Sequence, residues 1–432
     1  MPKEKFVIEG LSGKRELAGA IDVRGSKNAA LPMMASAMLF SDGLNLENVP
    51  MIEDVFRMSE LLSALGVLVK VKKSSVSIEA RGIKETDLNE GLSKRMRASI
   101  FLIGPILARS GQVSFPHPGG CVIGGRPIDI FLENFQKMGA SLEEKNGHYI
   151  LKTKSKKLKG TEIFFPIQSV SATETFMMAA VLAEGKTILK NVSLEPEIVA
   201  SGEFLNSCGA KIKGLGTMTL EIEGDGLLKS DSRKFKVIPD RLETGGFLIL
   251  GALSAKRLLI KNCNPAHIEI LIETLRKAGV NIKTSKSTIE IIEEKSASSF
   301  ESVNIKTHEY PGFPTDLQAP ISVFLTQTKG ESVVFETIFE SRLNYTEDLV
   351  KMGADITMWD PHRVMIKGPT KLKGRELEGP DIRAGLAFLI AAIVARGHSV
   401  INNIYYIDRG YERIEERLQK IGVNIKRVKS EI

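Results

Sequence analysis

The sequence predicts an α/β protein of two similar domains, each assembled from three copies of one unit. Three observations carry this. The chain has 432 residues, more than one compact core of ordinary size holds, so two domains are the default. A helix end that runs into glycine and then into an alternating strand recurs six times. An apolar helix rich in small residues, leading into a short strand, also recurs six times.

The first pattern reads LLSALGVLVKV, FQKMGASLEEK, LNSCGAKIKGL, LRKAGVNIKTS, LVKMGADITMW and LQKIGVNIKRV. Its glycines are Gly66, Gly139, Gly209, Gly279, Gly353 and Gly422, a spacing of about 70 residues. Glycine suits a left-handed helix cap, and the alternation after it marks a strand with one buried face. The second pattern opens at SKNAALPMMASAML, RASIFLIGPILARSG, SATETFMMAAVLAEGKT, LETGGFLILGALSAKR, DLQAPISVFLTQTKGES and IRAGLAFLIAAIVARGHS. Helices apolar almost all round are buried rather than surface helices. A strand, a buried helix, a strand, an outer helix and two strands account for each unit. Three units make a bundle of buried helices walled by sheets. The join falls in KFKVIPDRLETG, so residues 23–236 are expected to form a first domain holding repeats 1–3 and a glycine-rich lid. Residues 237–432 carry repeats 4–6, and residues 1–22 with the strand FVIEG are assigned to that second domain. The chain then crosses between domains twice, which makes a hinge.

Hydrophobic content of 43% and charged content of 26% are those of an ordinary globular protein. The start MPKEKFVIEG has no apolar segment, and no run reaches the roughly 18 apolar residues of a membrane helix. A soluble cytoplasmic protein with no membrane partner is expected. Cys121, Cys208 and Cys263 are too scattered for a disulfide framework or a zinc cluster, and the six histidines show no paired spacing, so no metal site is expected. The net charge of +7 and pI near 9.0 come without a basic run or an aromatic-interleaved basic stripe. Nucleic acid is therefore not the expected partner, and a basic pocket for small anions fits better.

The heads of the buried helices carry Lys27 with Asn28, Arg97, Ser169 to Thr173, Arg241 with Glu243, Asp316 and Arg383. A helix N-terminus already presents unpaired N–H groups and a positive dipole end, so a cation there is unfavourable unless an anion arrives to be held. Asp316, taken alone, reads equally as a plain N-cap. The loop PHPGGCVIGGRPID places a thiol among glycines, five residues before Arg126. Its glycines suit a mobile lid. A thiol near a guanidinium has a lowered pKa, so Cys121 can serve as proton donor or nucleophile, whereas Cys208 and Cys263 read as small buried apolar residues.

GSKNAALP, MRAS, PGGCVIGGRPID, SVSATET, EPEIV, IPDRLETG, YPGFPTDLQA, DIRAG and IDRGYERIE occur here in one order. In that order they resemble the UDP-N-acetylglucosamine enolpyruvyl transferases over nearly the whole chain. The resemblance implies two inside-out α/β barrels of three βαβαββ repeats each. It implies transfer of the enolpyruvyl group of phosphoenolpyruvate to the 3′-hydroxyl of UDP-N-acetylglucosamine, with release of phosphate and no metal or organic cofactor. This is the first committed step of peptidoglycan synthesis.

Carried over motif by motif, the resemblance makes Cys121 the general acid and the target of fosfomycin. Asp316 takes or positions the sugar hydroxyl proton. Lys27, Asn28, Arg126, Arg342, Asp381, Arg383 and Arg409 surround phosphoenolpyruvate, with Lys27 also catalytic. Arg97, Arg126, Pro127, Ile128, Asp129, Ile130, Ile167, Gln168, Ser169, Val170, Ser171, Asp316 and Ile338 hold the nucleotide sugar. The sequence departs from the family pattern at Ile167, where many members have lysine, and at Ser171, where glycine is usual. The rival readings are a non-catalytic UDP-sugar-binding paralogue and the shikimate-type enolpyruvyl transferase. The first is expected to have lost Cys121, Lys27 or Asp316, and the second lacks the cysteine lid.

Overall fold

The computed structural model describes residues 4–119 and 128–429. They cluster into two compact units, residues 25–119 with 128–238, and residues 4–24 with 239–429. The chain passes between the units at 24/25 and 238/239, two residues beyond the joins read from the sequence. The reason is local bonding. Val23 N–H still bonds Lys261 carbonyl in one unit, and Val237 N–H and Ile238 carbonyl still bond Glu47 and Ser26 in the other.

Each unit holds three sheets around its own apolar core. In the third repeat, strand Glu162–Phe164 runs parallel to Lys186–Lys190, which pairs antiparallel with Thr219–Glu223, and that strand with Lys211–Lys213. A helix supplies the crossover that a parallel pair requires. The first and last repeats each borrow a strand. Lys234–Lys236 pairs with Leu44–Glu47 in the first. Glu4–Leu11 lies between Arg396–Asn402 and Asn424–Lys429 in the sixth.

The buried helices are Lys27–Ala35, Ile103–Ser110, Val170–Val181, Arg241–Ser254, Gln318–Leu325 and Ile382–Val394. Every residue of Arg241–Ser254, Gln318–Leu325 and Ile382–Val394 is buried, as all-round apolarity demands. Three of the six are composite rather than single α-helices. A 3₁₀ turn, Ser36–Leu39, follows the first, while Arg97–Leu102 and Thr315–Leu317 precede the second and fifth. Proline accounts for part of this. Pro105 and Pro320 occupy the third helical position, where a missing N–H removes no intrahelical bond. Pro32 lies inside the first helix and leaves the carbonyl of Asn28 without its usual donor.

The six repeat glycines all adopt positive φ, from +86° at Gly66 to +105° at Gly353. A side chain at that backbone angle is strained, so the cap needs glycine. Among the described residues no helix is long and apolar enough to cross a membrane.

Candidate active site

Asp316 sits in the 3₁₀ turn Thr315–Leu317, whose N-cap is Pro314. It is not the cap, and its carboxylate is turned to two guanidinium groups. Arg342 donates from Nη2 to Oδ1 at 2.7 Å. Arg383 reaches Oδ2 from Nε at 3.0 Å and from Nη2 at 2.9 Å. The Asp316 side chain is 26% exposed, against 4% for Arg342 and 7% for Arg383.

Arg383 is fixed by its helix start. Asp381 is the N-cap of Ile382–Val394, and its carboxylate accepts from the N–H groups of Arg383 at 2.7 Å and Ala384 at 3.1 Å. Arg383 Nη1 also donates to the hydroxyl of Tyr411 at 2.9 Å. Arg342 is anchored through its loop. Gln318 donates to the Tyr345 hydroxyl at 3.0 Å, and that hydroxyl donates to Ser322 at 2.8 Å, which ties the loop to the fifth buried helix. Arg409 is buried, with its guanidinium 5.9 Å from the centroid of the Tyr406 ring.

The electrostatics follow from these neighbours. Burial pushes the Asp316 carboxyl up, but Arg383 and Arg342, with Arg241 assisting, outweigh it and hold the group well below the usual carboxylate range. Burial pulls Arg383 down, and Asp316 foremost among its partners more than restores it, so it stays charged. Burial pushes the Tyr411 phenol up to about 12, against the pull of Arg383, so its hydroxyl is neutral near pH 7.

In the other unit, Lys27 opens the first buried helix and its ammonium meets Asp54 at 2.9 Å. Asn28 is half-buried beside it. Arg97 begins its 3₁₀ turn, and Ser169 caps the third helix by accepting from Ala172 N–H at 3.3 Å. Ile167 is 63% exposed, while Gln168, Val170 and Ser171 are half-buried. Ile128 is buried, Asp129 exposed and Ile130 half-buried at the start of helix Asp129–Lys137. Cys121, Arg126 and Pro127 lie outside the described residues. Cys208 and Cys263 are buried thiols, and burial pushes Cys263 up to about 11.

The structure thus gathers Asp316, Arg342, Asp381 and Arg383 into one cluster and pairs Lys27 with Asp54. Sequence reasoning missed Asp54, which has no local signature, and Tyr411, which stood unassigned within IDRGYERIE. It also missed Glu336, which bonds Thr315 and Ile338 on either side of the cluster.

Fold and cluster together define an α/β enzyme that keeps a carboxylate ionised among cations suited to anionic substrates. The sequence pattern of EPSP synthase (3-phosphoshikimate 1-carboxyvinyltransferase) matches residues 11–418. A UDP-N-acetylglucosamine 1-carboxyvinyltransferase of Koribacter versatilis is 39% identical over 429 residues, covering 98% of this chain and 96% of that one. One from Caldanaerobacter subterraneus is 41% identical over 425 residues, covering 98% and 100%. Among solved structures, the enolpyruvyl transferase NikO from Streptomyces tendae superposes with a TM-score of 0.87 at 21% identity, over 100% of both chains. EPSP synthase from Acinetobacter baumannii gives 0.73 at 18%, over 99% and 100%. The chain belongs to the EPSP synthase family, among its UDP-N-acetylglucosamine 1-carboxyvinyltransferases. The two solved structures share its fold, as the resemblance implied.

Proposed function

We propose that this protein transfers the enolpyruvyl group from phosphoenolpyruvate to the 3′-hydroxyl of UDP-N-acetylglucosamine, releasing phosphate, as a cytoplasmic enzyme of peptidoglycan synthesis. The observation that carries the reading is the Asp316 carboxylate held between Arg342 and Arg383, in a chain about 40% identical to relatives of that name.

Cys121 gives a proton to the methylene carbon of phosphoenolpyruvate, and the neighbouring carbon becomes oxocarbenium-like. The sugar 3′-oxygen bonds to that carbon as its proton passes to Asp316. Loss of phosphate, which leaves with the proton held by Asp316, and return of one methyl proton to the Cys121 thiolate restore the double bond, now on the sugar, and both groups. Lys27, Asn28, Arg126, Arg342, Asp381, Arg383 and Arg409 hold the phosphate and carboxylate through the intermediate. Arg97, residues 126–130, residues 167–171 and Ile338 receive the nucleotide sugar.

With both arginines on it, Asp316 is a weak base. An anionic substrate draws Arg342 and Arg383 onto its own oxygens, and the basicity of Asp316 rises where the hydroxyl arrives. The resident carboxylate thus keeps the anion site charged until the substrate replaces it.

Phosphate release from phosphoenolpyruvate tests the reading. Release that requires UDP-N-acetylglucosamine and is irreversibly abolished by fosfomycin is the expected outcome. Release with shikimate 3-phosphate instead moves the chain to the other branch of the family, and release with neither acceptor ends the enzyme reading.

A further inference from the structure

Four of the six repeats follow their second strand with an asparagine. Asn48, Asn191, Asn262 and Asn403 all adopt φ between +53° and +58°. Their side chains tie that corner to a neighbouring segment of the same unit, at the carbonyls of Val237, Phe165 and Gly379 and at the carboxylate of Asp22. In the fifth repeat the same place, directly after strand Gly330–Phe335, belongs to Glu336. This residue is 0% exposed and does not share the left-handed backbone.

A fully buried carboxylate is a costly substitute for an asparagine that serves elsewhere, unless its oxygens are put to use. Those of Glu336 are. Oε2 accepts from the hydroxyl of Thr315, the residue before Asp316, at 2.9 Å. Oε1 accepts from the N–H groups of Ile338 at 2.9 Å and Phe339 at 3.2 Å. The carbonyl of Phe339 then accepts from Arg342 N–H at 3.4 Å, and its ring centroid lies 5.5 Å from the Arg342 guanidinium. Since Arg342 itself bonds Asp316, the contacts close a circuit from Glu336 through both loops and back. We infer that Glu336 is a positioning residue that sets Asp316 and Arg342 in register for proton transfer. This rests on the reading of Asp316 as the acceptor of the hydroxyl proton.

The circuit is tested with three variants of the full chain, by steady-state kinetics per folded enzyme. Misplacing reacting groups by an ångström is worth about a hundredfold in rate, so Glu336→Ala is expected to lower kcat by about 10- to 100-fold with KM for UDP-N-acetylglucosamine within about threefold. Glu336→Gln keeps an oxygen for both N–H groups and can donate its amide to Thr315, so it is expected within about threefold of wild type. The alanine variant strands buried donors and can fail to fold. Thr315→Val then decides, because it leaves the two backbone bonds intact. It is expected to fold with a melting temperature a few degrees below wild type, since one buried oxygen of Glu336 loses its donor, and to lose about fivefold in kcat. Wild-type kcat in Thr315→Val and in any folded Glu336→Ala, or a glutamine variant as impaired as the alanine one, overturns the inference. A wild type that releases no phosphate takes down the reaction reading and this inference together, whereas an active wild type with unaffected variants removes this inference alone.

Discussion

Asp316 and Glu174 are both carboxylic acids set at buried helices, one in the fifth repeat and one in the third, and their surroundings push them in opposite directions. Asp316 meets Arg342 and Arg383, which overcome burial and keep it ionised. Glu174, 0% exposed within Val170–Val181, meets Glu197 and Glu195. Burial first and those two carboxylates next raise it well above the usual range, with only the Ser201 hydroxyl at 3.4 Å in opposition. The same functional group is thus stabilised as an anion in one repeat and disfavoured as an anion in another. The repeat supplies a backbone place, and the two or three side chains that face it decide the chemistry.

Removing the charge of Asp316 has the largest expected effect. Asp316→Asn is expected to lower kcat by about 10²- to 10⁴-fold, the range for loss of a proton-transferring group. Its stability should fall by about 3–5 kcal/mol, because two buried guanidiniums lose their counterion. Unchanged turnover in that variant removes Asp316 from the chemistry. Arg342→Lys keeps the charge but not the planar fork, and KM for phosphoenolpyruvate is expected to rise about tenfold.

A pH series of melting temperatures separates the two acids by sign. Asp316 has a depressed folded pKa, so its stabilisation is present above its ordinary value of 3.8 and is lost as the pH falls below that. Glu174 has a raised folded pKa, so its contribution is present below its ordinary value of 4.5 and is lost as the pH rises above it. Glu174→Gln should therefore flatten the decline on the alkaline side and leave kcat near wild type, and an unflattened decline contradicts the upward shift of Glu174. The smallest effect belongs to Ser201→Ala. It removes one long hydrogen bond and is expected to shift stability by less than about 1 kcal/mol, as denaturant titration would read.

Much of the architecture was legible because the repeat writes itself in residues with few alternatives. Glycine at six helix ends and apolar residues around six helices leave little choice of backbone or burial. The composite helices were less visible, since a 3₁₀ turn and an α-turn bury the same apolar faces. In the site, Asp316, Arg342, Asp381 and Arg383 came from motif resemblance, and their convergence could not be read from spacing that runs from 316 to 383. Glu336 had a signal that went unused. Asparagine follows the second strand in four repeats, and of the two exceptions, His117 and Glu336, the second is an acid. Asp54 had none, because its partner Lys27 is found only by the packing of two helices.

The strand Glu4–Leu11 has a consequence for synthesis. Its partners Arg396–Asn402 and Asn424–Lys429 are made some four hundred residues after it. The unit formed by residues 25–238 contains its own closing strand, Lys234–Lys236, and can be complete while the ribosome is still at work. Of the two units, the one holding residues 4–24 is completed after the other. Its opening segment, with Phe6 and Ile8 destined for full burial, waits unpaired through the translation of some four hundred residues. A stall before residue 396 leaves that strand without either partner, with the charges of Lys5 and Glu9 within it opposing edge-to-edge association.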